Sequence, residues 1–262
     1  MTAGTVTAGI SFAPCALIPI YNHKDTIVEG VHGLRAHGLP VVIVDDGSNA
    51  ATRDVLDALA RDVPQVHLLR LPHNQGKGRA LSAGLLAARE LGFSHALQID
   101  ADGQHDVNDV PRFIAESATH PDALICGRPI YDDSVPRGRL YGRYITHFFV
   151  WLETLSLDIQ DSMCGFRLYP LAPTCAELAR KPFPARMDFD TEAAVRLFWR
   201  GVPVRNLATR VIYPENGLSH FRMWRDNVRI SAMHTRLLIG MLPRAPRLLR
   251  RRWRRSEAAC AG

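Results

Sequence analysis

The chemistry in this sequence is concentrated where apolar runs stop. The stretch from Ser94 to Asp106 begins with Ala96-Leu97-Gln98-Ile99, short and apolar enough for a buried strand, and breaks into Asp100-Ala101-Asp102-Gly103. Residues i and i+2 of a strand project to the same side, so Asp100 and Asp102 converge where the strand ends, with Gly103 releasing the backbone. Two carboxylates that close repel each other unless positive charge sits between them. A hard divalent cation, oxygen-liganded and shared with a substrate phosphate, supplies that charge. Gln104 and His105 follow and offer a further ligand or hydrogen bond. Taken alone, the stretch reads equally well as a polar loop with solvated acids.

The elements that must position these residues decide between the two readings. Ala16 to Ile20 forms a first strand and ends in Tyr21-Asn22-His23; a helix follows to about Ala36. Val41 to Val44 is a β-branched, fully apolar second strand, the pattern of a central parallel strand. It too ends in acids, Asp45-Asp46-Gly47-Ser48. A helix over about 51–61 and a third strand, Val66 to Leu71, come next. Asn74-Gln-Gly-Lys77-Gly78-Arg79 then opens a helix to about Leu91, with apolar residues at 81, 85, 86 and 91. Strand and helix alternate, which implies an open, mostly parallel sheet with helices on both faces. Ligands bind such sheets at the carboxyl ends of the strands. Tyr21, Asp45, Asp46, Asn74, Lys77, Asp100 and Asp102 all lie there, and this clustering favours the metal reading. The glycine-rich loop matches neither a Walker A sequence nor Gly-x-Gly-x-x-Gly.

The second half is less regular. Ala123 to Gly127 reads as a fifth strand ending at Arg128, and Tyr131 to Pro136 as a polar loop. A helix over about 139–157 carries Tyr141, Ile145, Phe148, Phe149, Leu152 and Leu155 on one face. That face is expected to pack on the core; its aromatic content makes an interfacial role the alternative. Asp161-Ser-Met-Cys-Gly-Phe-Arg167 leads into a strand to Tyr169, and Pro182-Phe-Pro184 is a break. Met187 to Glu192 starts a helix to about Arg200, its acids suited to the positive helix end. Gly201–Val204 and Ala208–Tyr213 read as late strands, with a turn at Glu215-Asn-Gly217. A helix from Phe221 to about Leu242 carries Trp224, Val228, Met233, Leu237, Leu238 and Met241. The organisation expected is a flexible stretch over 1–13, a domain over 14–220, and an amphipathic helix with a basic tail over 221–262.

Composition narrows the function. The 262 residues suffice for one large α/β domain, and the net charge of +6 is unevenly spread: seven arginines lie between Arg244 and Arg255 without an intervening acid. Such a block is a solvated tail or binds an anionic surface. The five cysteines are scattered with no Cys-x-x-Cys pair, against a zinc site or disulfide framework and in keeping with a reducing compartment. The N-terminus carries no charge before Lys24, so a signal-peptide start is not expected, and no run approaches the length of a spanning helix. The expected location is cytoplasmic, peripheral on the inner face of the membrane. A nucleic-acid binder would interleave basic residues with aromatics over a face; here they sit in one terminal block, and acidic strand ends repel phosphates.

Pro19-Ile-Tyr21-Asn22, Val44-Asp-Asp-Gly-Ser48, Asn74-Gln-Gly-Lys-Gly78, Asp100-Ala-Asp-Gly-Gln104 and Gly165-Phe-Arg167, in this order, resemble the family-2 glycosyltransferases of the GT-A fold. Within them the chain is similar to the polyprenyl-phosphate and dolichyl-phosphate sugar transferases, over roughly residues 15–220. The resemblance implies an inverting, metal-dependent transfer from a nucleotide-diphosphate sugar to a lipid-linked acceptor, polyprenyl phosphate first among them. It implies donor contacts from Pro19, Tyr21, Asn22, Asp45, Asp46, Lys77 and Asp100. It implies Mg²⁺ or Mn²⁺ on Asp100 and Asp102 with Gln104 close by, and acceptor contacts from Arg128, Arg167 and His220. Three departures bear on the acceptor and the base: His23 stands for a family glutamate, Cys164 for a serine, and His220 for a lysine.

An acceptor phosphate is already ionised and needs no base, whereas an acceptor hydroxyl on another lipid or a small metabolite needs a carboxylate to take its proton. Asp161, Asp190 and Glu192 are the residues for that role, with Asp190 or Glu192 preferred. A nucleotidyltransferase is the rival enzyme, but it would carry a glycine-rich basic loop where Tyr21-Asn22-His23 stands.

Overall fold

Short apolar segments bounded by turns suit buried strands at the middle of a sheet. The computed structural model, which describes residues 11–130, 137–211 and 223–260, builds seven strands into one sheet among the described residues. They are β1 (Pro14–Ile20), β2 (Val41–Asp45), β3 (Val66–Arg70), β4 (His95–Gln98), β5 (Leu124–Ile130), β6 (Arg167–Pro170) and β7 (Val204–Arg210). The order is β3-β2-β1-β4-β6-β5-β7, with the apolar β1 and β2 inside the sheet and the more polar β3 and β7 at its edges. β1 pairs in parallel with β2 and β4, β2 with β3, and β5 with β7, whereas β6 runs antiparallel between β4 and β5. The doubly wound, mostly parallel sheet read from the sequence is therefore correct. Every residue of β2 is buried, as its Val-Val-Ile-Val run requires.

The helices are α1 (Lys24–Ala36), α2 (Ala50–Asp62), α3 (Lys77–Glu90), α4 (Val110–Thr119), α5 (Arg137–Thr154), α6 (Leu171–Arg180), α7 (Phe189–Arg200), α8 (Met223–Met241) and α9 (Ala245–Cys260). They divide the core in two. One face of the sheet packs Leu17, Val44, Leu81, Leu85, Phe189 and Leu197 together, and the other packs Ile18, Ile43, Leu56, Phe113 and Phe166.

Several details correct the sequence reading. The two late strands are one: β7 pairs with β5 from Leu124↔Val204 to Ile130↔Arg210 without a break. Leu86 and Leu91 of the third helix region are exposed, so its buried stripe is narrower than expected. Ala13 exchanges hydrogen bonds with Ser94, and the Phe12 ring packs at a tilt against His95, so residues 12 and 13 are tied to the domain. The basic tail is a helix. Leu248 of α9 is buried in the core, Arg251 Nη1 donates to the Phe198 carbonyl at 3.0 Å, and Arg244 lies over the Trp199 ring at 4.6 Å. The loop at Tyr131–Pro136, the turn at Glu215–Gly217 and His220 lie outside the described residues.

The largest correction concerns α5. Ile145, Phe148 and Leu152, expected to face the core, are exposed together with Tyr144. The buried side instead carries Thr146, His147, Val150, Glu153 and Thr154. Burying polar groups is costly without partners, and His147, Glu153 and Thr154 each have one. His147 lies 3.4 Å from Asp161, and Glu153 pairs with His234 of α8 at 2.7 Å.

Candidate active site

The carboxyl ends of β1, β2 and β4 open on one side of the sheet, and the loops that leave them are tied to one another. After β1, Asn22 takes a left-handed φ of 61°, a conformation open to Asn because its short amide bonds locally. Its N–H donates to Ser48 Oγ at 3.1 Å and its Oδ1 accepts from the Asn49 N–H at 2.8 Å. Pro19 is buried in β1, in register with Val44, and shapes the strand rather than presenting a polar group.

The Asp45–Asp46 pair shapes the site through the bonds it accepts. Asp45 is fully buried; it accepts from the Ser48 N–H at 2.8 Å and from Arg70 Nε at 3.2 Å. Asp46 accepts from the N–H groups of Gln75 and Gly76 at 2.7 and 2.8 Å, which folds the Asn74–Gly76 loop back over β2. Burial nevertheless pushes the Asp46 carboxyl above its ordinary range, against those two bonds and the nearby Arg186. Arg186, not singled out in the sequence, also donates to Asn74 Oδ1 at 2.9 Å. Gly76 has φ 102° and turns the loop into α3, placing Lys77 in its first turn.

Lys77 is the hub. Its Nζ lies 2.8 Å from Asp100 Oδ1, 2.9 Å from Asp100 Oδ2 and 3.2 Å from Asp190 Oδ2. Gln98, an interior polar residue of β4, donates to Asp190 Oδ1 at 2.9 Å and accepts from the Tyr169 hydroxyl at 3.1 Å. Residues of β4, β6, α3 and α7 thus meet at one point. Gly165 lets them: a Cβ there would stand 2.4 Å from Asp100 Oδ2. His105 Nε2 is 3.8 Å from Asp100 Oδ2, and its ring stacks on Phe166. Asp102 accepts from the Gln104 N–H at 3.1 Å, so Gln104 shapes the acid turn through its backbone.

The two acids of the Asp-x-Asp pair sit in opposite electrostatic states. Burial opposes the charge of Asp100, but Lys77 and then His105 outweigh it and hold that carboxyl far below the usual range. Burial, reinforced by the charge of Asp100, pushes Asp102 up. A divalent cation suits this pair: the donors are hard oxygens, and the ion pairs of Lys77 and His105 fall on Asp100 rather than on Asp102. Among the described residues no cluster of three or more His, Cys, Asp or Glu side chains poised for a metal is found. Asp100 and Asp102 would hold such an ion in part, the remaining ligands coming from substrate oxygens and water.

The three acids considered as bases separate clearly. Asp190 lies in the cluster. Glu192 is buried on the other side of α7, paired with Arg196 at 3.2 Å and Arg236 at 3.0 Å. Asp161 is saturated: Arg143 donates to both its oxygens at 2.5 and 2.7 Å, and the N–H groups of Met163 and Cys164 donate to Oδ1. The arginines separate as well. Arg128 is exposed near the end of β5. Arg167 is fully buried, with its guanidinium on the carbonyls of Asp190 and Cys164, so in this structure it braces α7 and does not face an acceptor. Gln98, Arg186 and the placement of His105 escaped the sequence reading; only Gln98, polar inside an apolar strand, carried a local signal.

Comparison with known proteins bears on this arrangement. The model of glycosyl transferase family 2 matches residues 15–183. The chain is 29% identical over 220 residues to a dolichyl-phosphate beta-glucosyltransferase of Dictyostelium discoideum, covering 77% of this chain and 64% of that protein. It is 29% identical over 163 residues to an undecaprenyl-phosphate mannosyltransferase of Micrococcus luteus, covering 58% of this chain and 64% of that one. Among solved structures, the mannosyltransferase PcManGT of Pyrobaculum calidifontis, in complex with GDP-Man and Mn²⁺, superimposes with a TM-score of 0.55 at 17% identity, covering 95% of this chain and 75% of that one. That likeness is one of fold.

Proposed function

The chain belongs to glycosyl transferase family 2, and from that premise we propose that it is an inverting, metal-dependent enzyme that moves a sugar from a nucleotide-diphosphate donor to polyprenyl phosphate. The observation that carries this reading is the meeting of Asp100, Lys77 and Asp190, with Asp102 beside them, at the carboxyl ends of the strands. The lipid-phosphate acceptor is supported by the names of the two curated relatives, of which the match spans about two thirds.

The donor nucleotide lies along the loops after β1 and β2, against Tyr21 and the Asn74–Gly76 loop that Asp46 holds. Its diphosphate points to Asp100 and Asp102. Asp100 and Asp102 would hold a divalent ion there, which would supply positive charge to the leaving diphosphate. The acceptor phosphate oxygen attacks the anomeric carbon as the bond to the diphosphate oxygen breaks, which inverts the configuration. Being ionised, it needs no base, and the exposed Arg128 offers a planar fork for its oxygens. A second reading, transfer to a lipid or metabolite hydroxyl, would need a carboxylate to take the proton, and of the three acids considered Asp190 is the one in the cluster; its Oδ2 serves as base only once Lys77 has left it.

The surface suits work at a lipid face. α5 turns Tyr144, Ile145, Phe148 and Leu152 outward, and α9 exposes Leu249 and Trp253 among arginines. No helix among the described residues is long and apolar enough to cross a membrane. The proposed location is peripheral, on the cytoplasmic face of the membrane.

The test is a panel of UDP- and GDP-sugars with polyprenyl phosphate or the matching polyprenol, in Mn²⁺, Mg²⁺ or EDTA. Transfer to the phosphate, lost in EDTA, with product of inverted anomeric configuration, is expected. Transfer to polyprenol alone moves the reading to Asp190 as base. Full activity in EDTA overturns metal dependence.

A further inference from the structure

Lys77 makes contacts that a phosphate-binding lysine does not need. Its ammonium lies on both oxygens of one carboxylate of the Asp-x-Asp pair and bridges to a third acid on another helix. Buried like charges this close are unfavourable without a cation between them. Asp100 and Asp190 meet at this point, and Lys77 is the cation that joins them. We infer that Lys77 is a resident counter-cation: its ammonium holds Asp100 to Asp190 in the metal-free protein, and a divalent ion gains Asp100 only by displacing it.

The surroundings fit an exchange rather than a permanent bridge. Asp190 keeps its place without Lys77, because Gln98 Nε2 grips its Oδ1 and Gln98 is itself fixed by Tyr169. Asp102 and its turn are not bonded to Lys77 and offer the ion a first foothold. Lys77 occupies the first turn of α3, from which a four-carbon side chain can swing without moving the helix. The exchange frees Asp190 Oδ2 only after the site is loaded. Cation and ammonium therefore compete for one carboxylate, and linkage makes the effect reciprocal: removing the ammonium tightens the ion, and adding the ion loosens the ammonium.

This inference rests on the metal reading above, and its test keeps the two apart by using Mn²⁺ without nucleotide, read by the electron paramagnetic resonance of the free ion. Lys77→Met is expected to bind Mn²⁺ about tenfold more tightly than the wild type, and Lys77→Arg, which keeps the charge, within about twofold of it. Adding Asp102→Asn to Lys77→Met abolishes the gain. A second readout uses the unaltered protein, so it stands even if Lys77→Met does not fold. The other two lysines, Lys24 and Lys181, are exposed. Under limiting amine acylation followed by mass spectrometry, Mn²⁺ should raise modification of Lys77 several-fold and leave those two unchanged. Mn²⁺ binding that is no tighter in Lys77→Met, or Lys77 labelling that Mn²⁺ does not move, overturns the inference and leaves the metal reading standing. No Mn²⁺ binding by wild type or Lys77→Met, even with UDP or GDP added, overturns both.

Discussion

Asp190 and Glu192 are two residues apart on α7, so their side chains point about 200° apart around the helix. One reaches Lys77 and Gln98; the other reaches Arg196 and Arg236. The same substitution should therefore act on different properties. Asp190→Asn is expected to lower kcat on the order of 10²-fold, because it removes a charged group from the cluster in which the donor reacts, with little change in thermal stability. Glu192→Gln is expected to leave kcat within a few-fold and to cost about 2 kcal/mol of stability, since it takes one carboxylate from the buried Arg196, which keeps Glu177, and from the half-exposed Arg236. Steady-state kinetics and denaturant melts of the pair decide this, and a reversed pattern would move the chemistry to Glu192. Asp102→Asn should nearly abolish transfer, a loss on the order of several kcal/mol of transition-state stabilisation, with circular dichroism unchanged. Gly165→Ala is a geometric test of the same site. Its new Cβ would stand 2.4 Å from Asp100 Oδ2, so the carboxylate must shift. Activity should fall and the Mn²⁺ requirement rise; wild-type kinetics would show that the placement of Asp100 is not critical.

At the scale of elements, Asp161 is the pin between α5 and the turn that leads into β6. Burial opposes its charge, but His147 and Arg143 outweigh burial and hold its carboxyl far below the usual range. A carboxyl depressed on folding contributes stability that is present above its unfolded value, about pH 4, and is lost as pH falls through the folded value. Acid unfolding should therefore be less steep in Asp161→Asn, which should also lose about 3 kcal/mol at pH 7. An unchanged acid limb would mean that Asp161 is not the pin. This contact also shows what the sequence conceals. β1, β2 and β4, with the acids at their ends, were legible because an apolar run followed by a carboxylate is a local pattern. Asp100, Asp102, Lys77 and Asp190 were each identifiable as candidates, but nothing local said that α7 brings Asp190 to Lys77. α5 was misjudged for the same reason. Apolar periodicity marks a stripe but not its direction, and the partners that draw the polar side inward, Asp161 and His234, lie 14 to 81 residues away from it in the chain. α4, α6 and α9 were missed; in α9 the helix-stabilising contacts are likewise distant, at Phe198 and Trp199.

On the scale of the whole molecule, the end of α5 meets α9. Arg252 Nη1 donates to the Leu155 carbonyl at 3.5 Å, and both helices border a cavity of about 230 Å³ lined by Thr154, Leu155, Phe198 and Leu248. Tyr144, Ile145, Phe148 and Leu152 are exposed along one helix, and Leu249 and Trp253 along the other, Trp253 at 70%. Arg247, Arg250 and Arg252 are exposed beside them. Such a face gains apolar contact from the rings and attraction of about 1 kcal/mol per arginine near an anionic bilayer. Deleting α9 would confuse two effects, because Leu248 is buried in the core. Surface substitutions do not. Leu249→Ser with Trp253→Ser, and separately Ile145→Ser with Phe148→Ser, should each keep the melting temperature near that of the wild type while reducing cosedimentation with vesicles containing phosphatidylglycerol. Attachment should also weaken as salt rises from 50 to 500 mM, since the arginine contribution is screened while the apolar one is not. If only the α9 pair mattered, α5 would be an exposed apolar face without a lipid role. If neither pair changed the pelleted fraction, or if neutral and anionic vesicles bound alike at low salt, this surface would not be the one that meets the proposed lipid acceptor.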